Sequence, residues 1–241
     1  MRAGLVVALL GAGIAHAEDH AGAQPASADP PRNGPIRPSL LGGHTPDAGE
    51  TVLAAALGWP ELSVQLDTGV APGVGLGLRV GALVGSPMMG LVAGAGGGLA
   101  VPIRVRLFEE GRAALALRLT PGVSGGEARL FGESAPDATS RGLGRGARLD
   151  AGLALGLTLT EGTAFSLWTT AGGGVSWTEG NRAHGVGSFA FGLGLETWVS
   201  ADTMLFAQLE GGAGIREERA SPAYYPQQEF VRLALGLGHA L

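Results

Sequence analysis

Five histidines, His16, His20, His44, His184 and His239, are the residues of this chain with the broadest chemical use. A zinc centre needs three or four ligands converging on one point, and no grouping of these histidines with acids offers that set. His20 and His44 stand near acids in a proline-rich stretch, where a solvated tail accounts for them. Glu179 and His184 share one loop, and an acid–base pair there would need a geometry that spacing alone does not supply. No Ser-His-acid set can be placed. The glycine runs "GVGLGLRVG" and "GAGGG" invite a phosphate-loop reading, yet neither is followed by a helix start or a Lys-Ser/Thr pair. Catalytic, cofactor-binding and metal-ligating residues are therefore assigned to no position, and the chain reads as something other than an enzyme.

The charges that remain fall into a pattern. Arg79, Arg104, Arg106, Arg118, Arg148 and Arg232 lie on the polar sides of alternating segments, as do Asp67, Asp150, Glu196 and Glu210. If all ten point to one interior, six positive against four negative charges leave an excess of +2. Their expected role is a structural ion-pair network, because each buried charge needs a partner. The functional counterpart is a lining that favours anions, should the interior conduct.

The elements that must position these charges are strands. Residues 99 to 107 place Leu99, Val101, Ile103, Val105 and Leu107 on one face, with Ala100, Pro102, Arg104 and Arg106 on the other. That period of two marks a strand whose faces meet different surroundings. The same alternation appears at 62–67, 74–81, 113–120, 148–159, 188–196 and 229–241, less cleanly at 163–177 and 203–215, and weakly at 50–58. Ten candidate strands result, joined alternately by tight turns ("FEEGR", "TEGT", "SADT") and by long connections at 125–146, 178–186 and 217–227. The uncharged run 80–103 is long enough for a membrane helix, but Pro87, Pro102 and its glycines favour two strands joined by the "SPMMG" loop.

Composition narrows the surroundings. Glycine supplies 44 of 241 residues, against about 7% in ordinary proteins, which suits strands with one face of very small side chains. The bulky apolar faces carry no Asp, Glu or Arg, whereas the opposite faces are mostly Gly, Ala, Ser and Thr. A water-facing exterior built of Gly and Ala would be unusual, and a narrow interior built of them would not. Phe108, Phe165, Trp177, Phe189, Trp198 and Phe230 fall near strand ends, where membrane interfaces favour aromatic rings. The net charge of −5 offers no basic face for nucleic acid, and no cysteine is present for a disulfide or thiolate site.

The first residues have the form of an export signal: Arg2, the apolar "AGLVVALLGAGI" and the small-x-small "AHA" ending at Ala17. Residues 18–49 hold six prolines and little apolar periodicity, so they are expected to form a disordered periplasmic tail. Residues 50–241 then make one domain.

An exported chain with tight turns on one rim, long loops on the other and an alternating last strand, "EFVRLALGLGHAL", resembles the small outer-membrane β-barrel proteins of Gram-negative bacteria. The resemblance covers about residues 50–241. It implies an all-β, antiparallel, up-and-down transmembrane β-barrel of about ten strands, with eight and twelve as the neighbouring counts. It also implies Sec-type export to the outer membrane, contact with outer-membrane lipid, and recognition of the last strand by the barrel-assembly machinery. Leu241 departs from the family pattern, in which the final residue is aromatic, and His239 sits on the apolar face. Three functions follow as expectations: a structural or surface-interaction barrel, a narrow pore for small solutes, or a soluble secreted ligand-binding barrel. N-terminal sequencing of the exported protein should begin at Glu18; a start at Met1 would contradict the export signal.

Overall fold

A computed structural model describes residues 37–59, 61–83, 96–126, 144–177, 183–216 and 228–241. The strands are β1 Thr51–Trp59, β2 Glu61–Ala71, β3 Val74–Leu83, β4 Gly96–Ala100, β5 Ile103–Glu110 and β6 Ala113–Gly126. They continue as β7 Gly144–Thr160, β8 Thr163–Trp177, β9 Ala183–Trp198, β10 Thr203–Arg216 and β11 Gln228–Ala240. Each pairs antiparallel with its chain neighbour, apart from β4 and β5, and β11 returns to pair with β1, Val52 opposite Ala240 and Trp59 opposite Leu233. That last pairing closes the ring, which is why the alternation persists to the end of the chain. The amide of Leu241 itself donates to the carbonyl of Thr51 at 2.9 Å.

Segments β4 and β5 occupy one place, since both lie between β3 and β6. Eleven segments therefore make a ten-strand barrel, the count expected from the alternation. The stretch expected as one strand over 99–107 is interrupted at Val101 and Pro102, because proline has no amide hydrogen to give a neighbour. The seam still holds: Gly77 donates to the Pro102 carbonyl at 2.7 Å, and Val101 donates to that of Pro121 at 2.9 Å. No helix occurs among the described residues. The "SPMMG" loop, the export signal and the "GAGGG" run as far as Ala95 lie outside them.

One rim carries the tight connections at 72–73, 111–112, 161–162 and 199–202, together with both ends of the barrel. At one of them, Gly111 adopts φ 57°, a conformation costly for any residue with a Cβ.

The two faces divide as the alternation requires, with the apolar face outward. Leu233, Leu235 and Leu237 are 52%, 62% and 49% exposed, while Ala234 between them is 9% exposed. Ala114, Ala116, Ala154 and Ser166 are fully enclosed on the inner face. A soluble ligand-binding barrel would have the opposite arrangement, so that third expectation is not met. Two of the aromatics expected at a membrane interface also point inward. Phe230 is buried, and Trp198 packs against the interior cluster beneath Arg37, whose guanidinium carbon lies 5.2 Å from the ring centre. Phe108 and Phe189 do stand on the outer wall.

An outer wall in hydrocarbon makes a direct prediction. Leu235→Arg should cost about 2–4 kcal/mol in urea unfolding from lipid vesicles, whereas Leu241→Arg at the rim should cost about 0–1 kcal/mol. Equal, negligible costs at both positions would contradict a lipid-facing wall.

Candidate functional site

The interior is not empty. Residues 37–48, expected to belong to the mobile tail, run inside the barrel, and Ser39, Leu40, Leu41, His44 and Thr45 are all buried. The physical reason is legible in "SLLGGHT": two leucines give this stretch apolar area to bury, and two glycines let its backbone approach the wall. A Cβ on Gly43 would lie 2.1 Å from the Ala114 carbonyl oxygen, so only glycine fits there. We refer to residues 37–48 as the strap.

Glu196 of β9 is its main anchor. The fully buried carboxylate accepts hydrogen bonds from the Leu40 amide at 2.7 Å, the Leu41 amide at 3.2 Å and the Ser39 hydroxyl. On the same strap, Ser39 Oγ accepts from the Gly42 amide at 2.6 Å, and the Ser39 amide donates to the His44 carbonyl at 2.9 Å, closing a compact loop. Arg104 of β5 donates to the Ser39 carbonyl and, at 3.2 Å, to Asp67 of β2. Both partners of that ion pair are buried, so each satisfies the other's charge where water cannot. At the end of the strap, Gly49 donates to Gly69 of β2 at 2.8 Å, and the chain turns directly into β1. Leu40, Leu41, Val52, Ala54, Ala154, Trp168, Met204 and Phe206 form one apolar cluster across the interior.

The remaining expected residues of the charge network are also inward. Arg79 pairs with Glu61 at 2.9 Å, Arg148 with Asp150, and Arg232 with Glu210 at 3.1 Å. Arg106 sits at the tight-turn rim and pairs with Glu109 at 2.5 Å. Arg118 lies over the ring of Trp168, 5.8 Å from its centre, and the Trp168 indole donates to Glu210 at 3.0 Å. Glu61 and Glu109 were missed in the sequence because each stands at a strand end, outside the run of alternation. With them the six arginines face six carboxylates, and the apparent excess of two positive charges disappears. On the long-connection side of the strap, a cavity of about 120 Å³ is lined by Glu61, Arg79, Thr120, Arg148, Asp150 and Arg232.

A closed antiparallel barrel with an apolar outer wall and a polar, filled interior is the architecture of a transmembrane β-barrel. No family model matches the sequence, and no curated protein matches it. Among solved structures, the chain is similar to Ail, the attachment invasion locus protein of Yersinia pestis, at 15% identity over 80% of this chain and 99% of that one, TM-score 0.38. It is also similar to the N-terminal β-barrel domain of Pseudomonas aeruginosa OprF, at 13% identity over 80% and 96%, TM-score 0.32. A mutant of the monoaromatic hydrocarbon channel TodX matches at 8% identity over 83% and 92%, TM-score 0.31. At scores this low the likenesses add no weight, and the fold rests on the strand pairing.

Among the described residues no group of His, Asp and Glu is placed to hold a metal ion. His44, the one histidine on the strap, has Nδ1 3.5 Å from Glu109 and Nε2 3.3 Å from the Thr158 hydroxyl. Burial holds its pKa below the ordinary histidine value; Glu109 opposes that shift and Arg106 adds to it. The folded state therefore disfavours the proton that the unfolded chain accepts below about pH 6.5. Stability from neutral His44 is complete above that pH and is lost as pH falls through the lowered folded value. In urea titrations between pH 5 and 8 (roughly the histidine range), the advantage of wild type over His44→Gln should shrink as the solution is acidified. An advantage that grows on acidification would contradict the sign.

Proposed function

We propose that this chain is an integral outer-membrane barrel, closed by its own strap, with a structural or surface-interaction role rather than that of a standing pore. The carrying observation is the strap itself: buried leucines and a buried carboxylate anchor occupy the space through which a solute would pass. The expected export signal, the apolar outer wall and the two-rim connection pattern support the outer membrane as its location, with the tight turns in the periplasm. The regular last strand supports delivery by the barrel-assembly machinery.

A second reading is a gated pore for small solutes. It is favoured by the wall behind the strap, where Ala114, Ala154, Gly156, Ser166 and Gly194 face inward. Removing the strap would leave these small residues lining an opening, not a repacked core.

Fractionation should place the protein in the outer-membrane fraction, with a folded band that migrates differently before and after boiling; a soluble protein without a heat shift would defeat both readings. In planar bilayers the intact chain should be silent and the chain lacking residues 37–48 should conduct. Glu196→Ala leaves the three strap donors and the Ser166 hydroxyl, 3.5 Å away, without their acceptor; an unsatisfied buried donor costs about 1–3 kcal/mol, so the change should produce intermittent openings. Steady conductance by the intact chain would overturn the closed-barrel reading.

A further inference from the structure

Arg118 stands apart from the other interior arginines. The charges that act on it most strongly are those of Arg104, Glu210, Asp67 and Arg79, two cations and two carboxylates. Both carboxylates are already engaged: Asp67 by Arg104 at 3.2 Å and Gln65 at 2.8 Å, and Glu210 by Trp168 at 3.0 Å and Arg232 at 3.1 Å. No carboxylate among the described residues lies within the ~4 Å reach of an ion pair with Arg118. Arg118 is partly buried, and a guanidinium drawn out of water without a counter-charge is costly.

Beside it lies a cavity of about 40 Å³ with Arg118, Arg79, Gln65, Gln208 and Ser63 in its lining. Two guanidinium groups, two amides and a hydroxyl can all donate hydrogen bonds, and no carboxylate borders the space. The Gln208 side chain makes no hydrogen bond to another described residue, which leaves its amide available to an occupant. A water molecule needs about 10–15 Å³ of such space, so the cavity suits an occupant of roughly three water-sized spheres.

We infer that this cavity binds a small monovalent inorganic anion, of halide or nitrate size, held by Arg118 and Arg79 and oriented by Gln208. The anion supplies the counter-charge that no side chain provides. Leu40 and Leu41 border one side of the cavity, so the site rests on the seated strap.

Iodide tests this, because it quenches indole fluorescence at close approach and the Trp168 ring centre lies 5.8 Å from the guanidinium carbon of Arg118, one of the two cations that would hold the ion. In the purified, folded full-length mature protein, iodide should give a saturable quenching component that chloride competes away. Trp168→Phe should abolish that component, and Arg118→Gln should weaken it by about tenfold or more. Gln208→Leu leaves every ion pair intact and should also weaken it by about tenfold, which keeps the test decisive if Arg118→Gln fails to fold. Linear quenching without chloride competition, or a saturable component unchanged in Gln208→Leu, would overturn the site. Conductance separates the two claims: an intact chain that conducts removes the strap, whereas a silent chain with linear quenching removes only the anion.

Discussion

A sheet whose outer face is apolar has no tolerable edge, since every unpaired amide and carbonyl facing hydrocarbon costs several kcal/mol. This chain meets that constraint by bonding β11 to β1, and much else follows from the closure. Ten strands enclose a narrow space, so the inner face must be built of small side chains, with larger ones admitted singly. The abundance of glycine, which looks like disorder in a composition table, is the cost of curvature and closeness. The bulky residues it displaces stand on the outer wall, where lipid supplies the packing that a core would otherwise give.

Closure also creates the problem that the strap solves. Charged side chains are gathered in a narrow space, and those that are buried need a partner of opposite sign or a set of aligned dipoles. Five arginines take carboxylates, and Glu196 takes backbone amides instead. The strap is thus bound by two kinds of force acting together. Leu40 and Leu41 join an apolar cluster with Met204 and Phe206, while the turn at Ser39 delivers its donors to one carboxylate. Either force alone would leave the other unsatisfied, because the leucines cannot reach the cluster without burying the amides beside them.

The barrel was largely legible because alternation is a property of single strands: Leu233, Leu235 and Leu237 announce an outer face without knowledge of any partner. The same alternation sets the polar-face charges on the side opposite the leucines. Pairing was not legible, because it depends on which residues of different strands share a height. Glu61 and Glu109 lie at strand ends, where the period has no neighbours to support it. The strap was hidden for a different reason. Its prolines and glycines match the composition of a disordered tail, and only the unusual pair Leu40-Leu41 beside Gly42-Gly43 hints at burial. Its acceptor, Glu196, lies 156 residues from Leu40 and reads locally as one more polar-face acid. The inward turn of Trp198 and Phe230 belongs with the strap, since both rings fill interior space that a tail outside the barrel would leave open.

Closure of the barrel by the strap depends on the seating of residues 39–44 against Glu196, and hydrogen exchange of individual amides measures that seating most directly. In the intact protein the Leu40 and Leu41 amides should exchange slowly, approaching the protection of neighbouring strand amides, and Glu196→Ala should release them while β8, β9 and β10 stay protected. Exchange of Leu40 and Leu41 at the rate of an unstructured peptide, with the strands protected in the same sample, would contradict it.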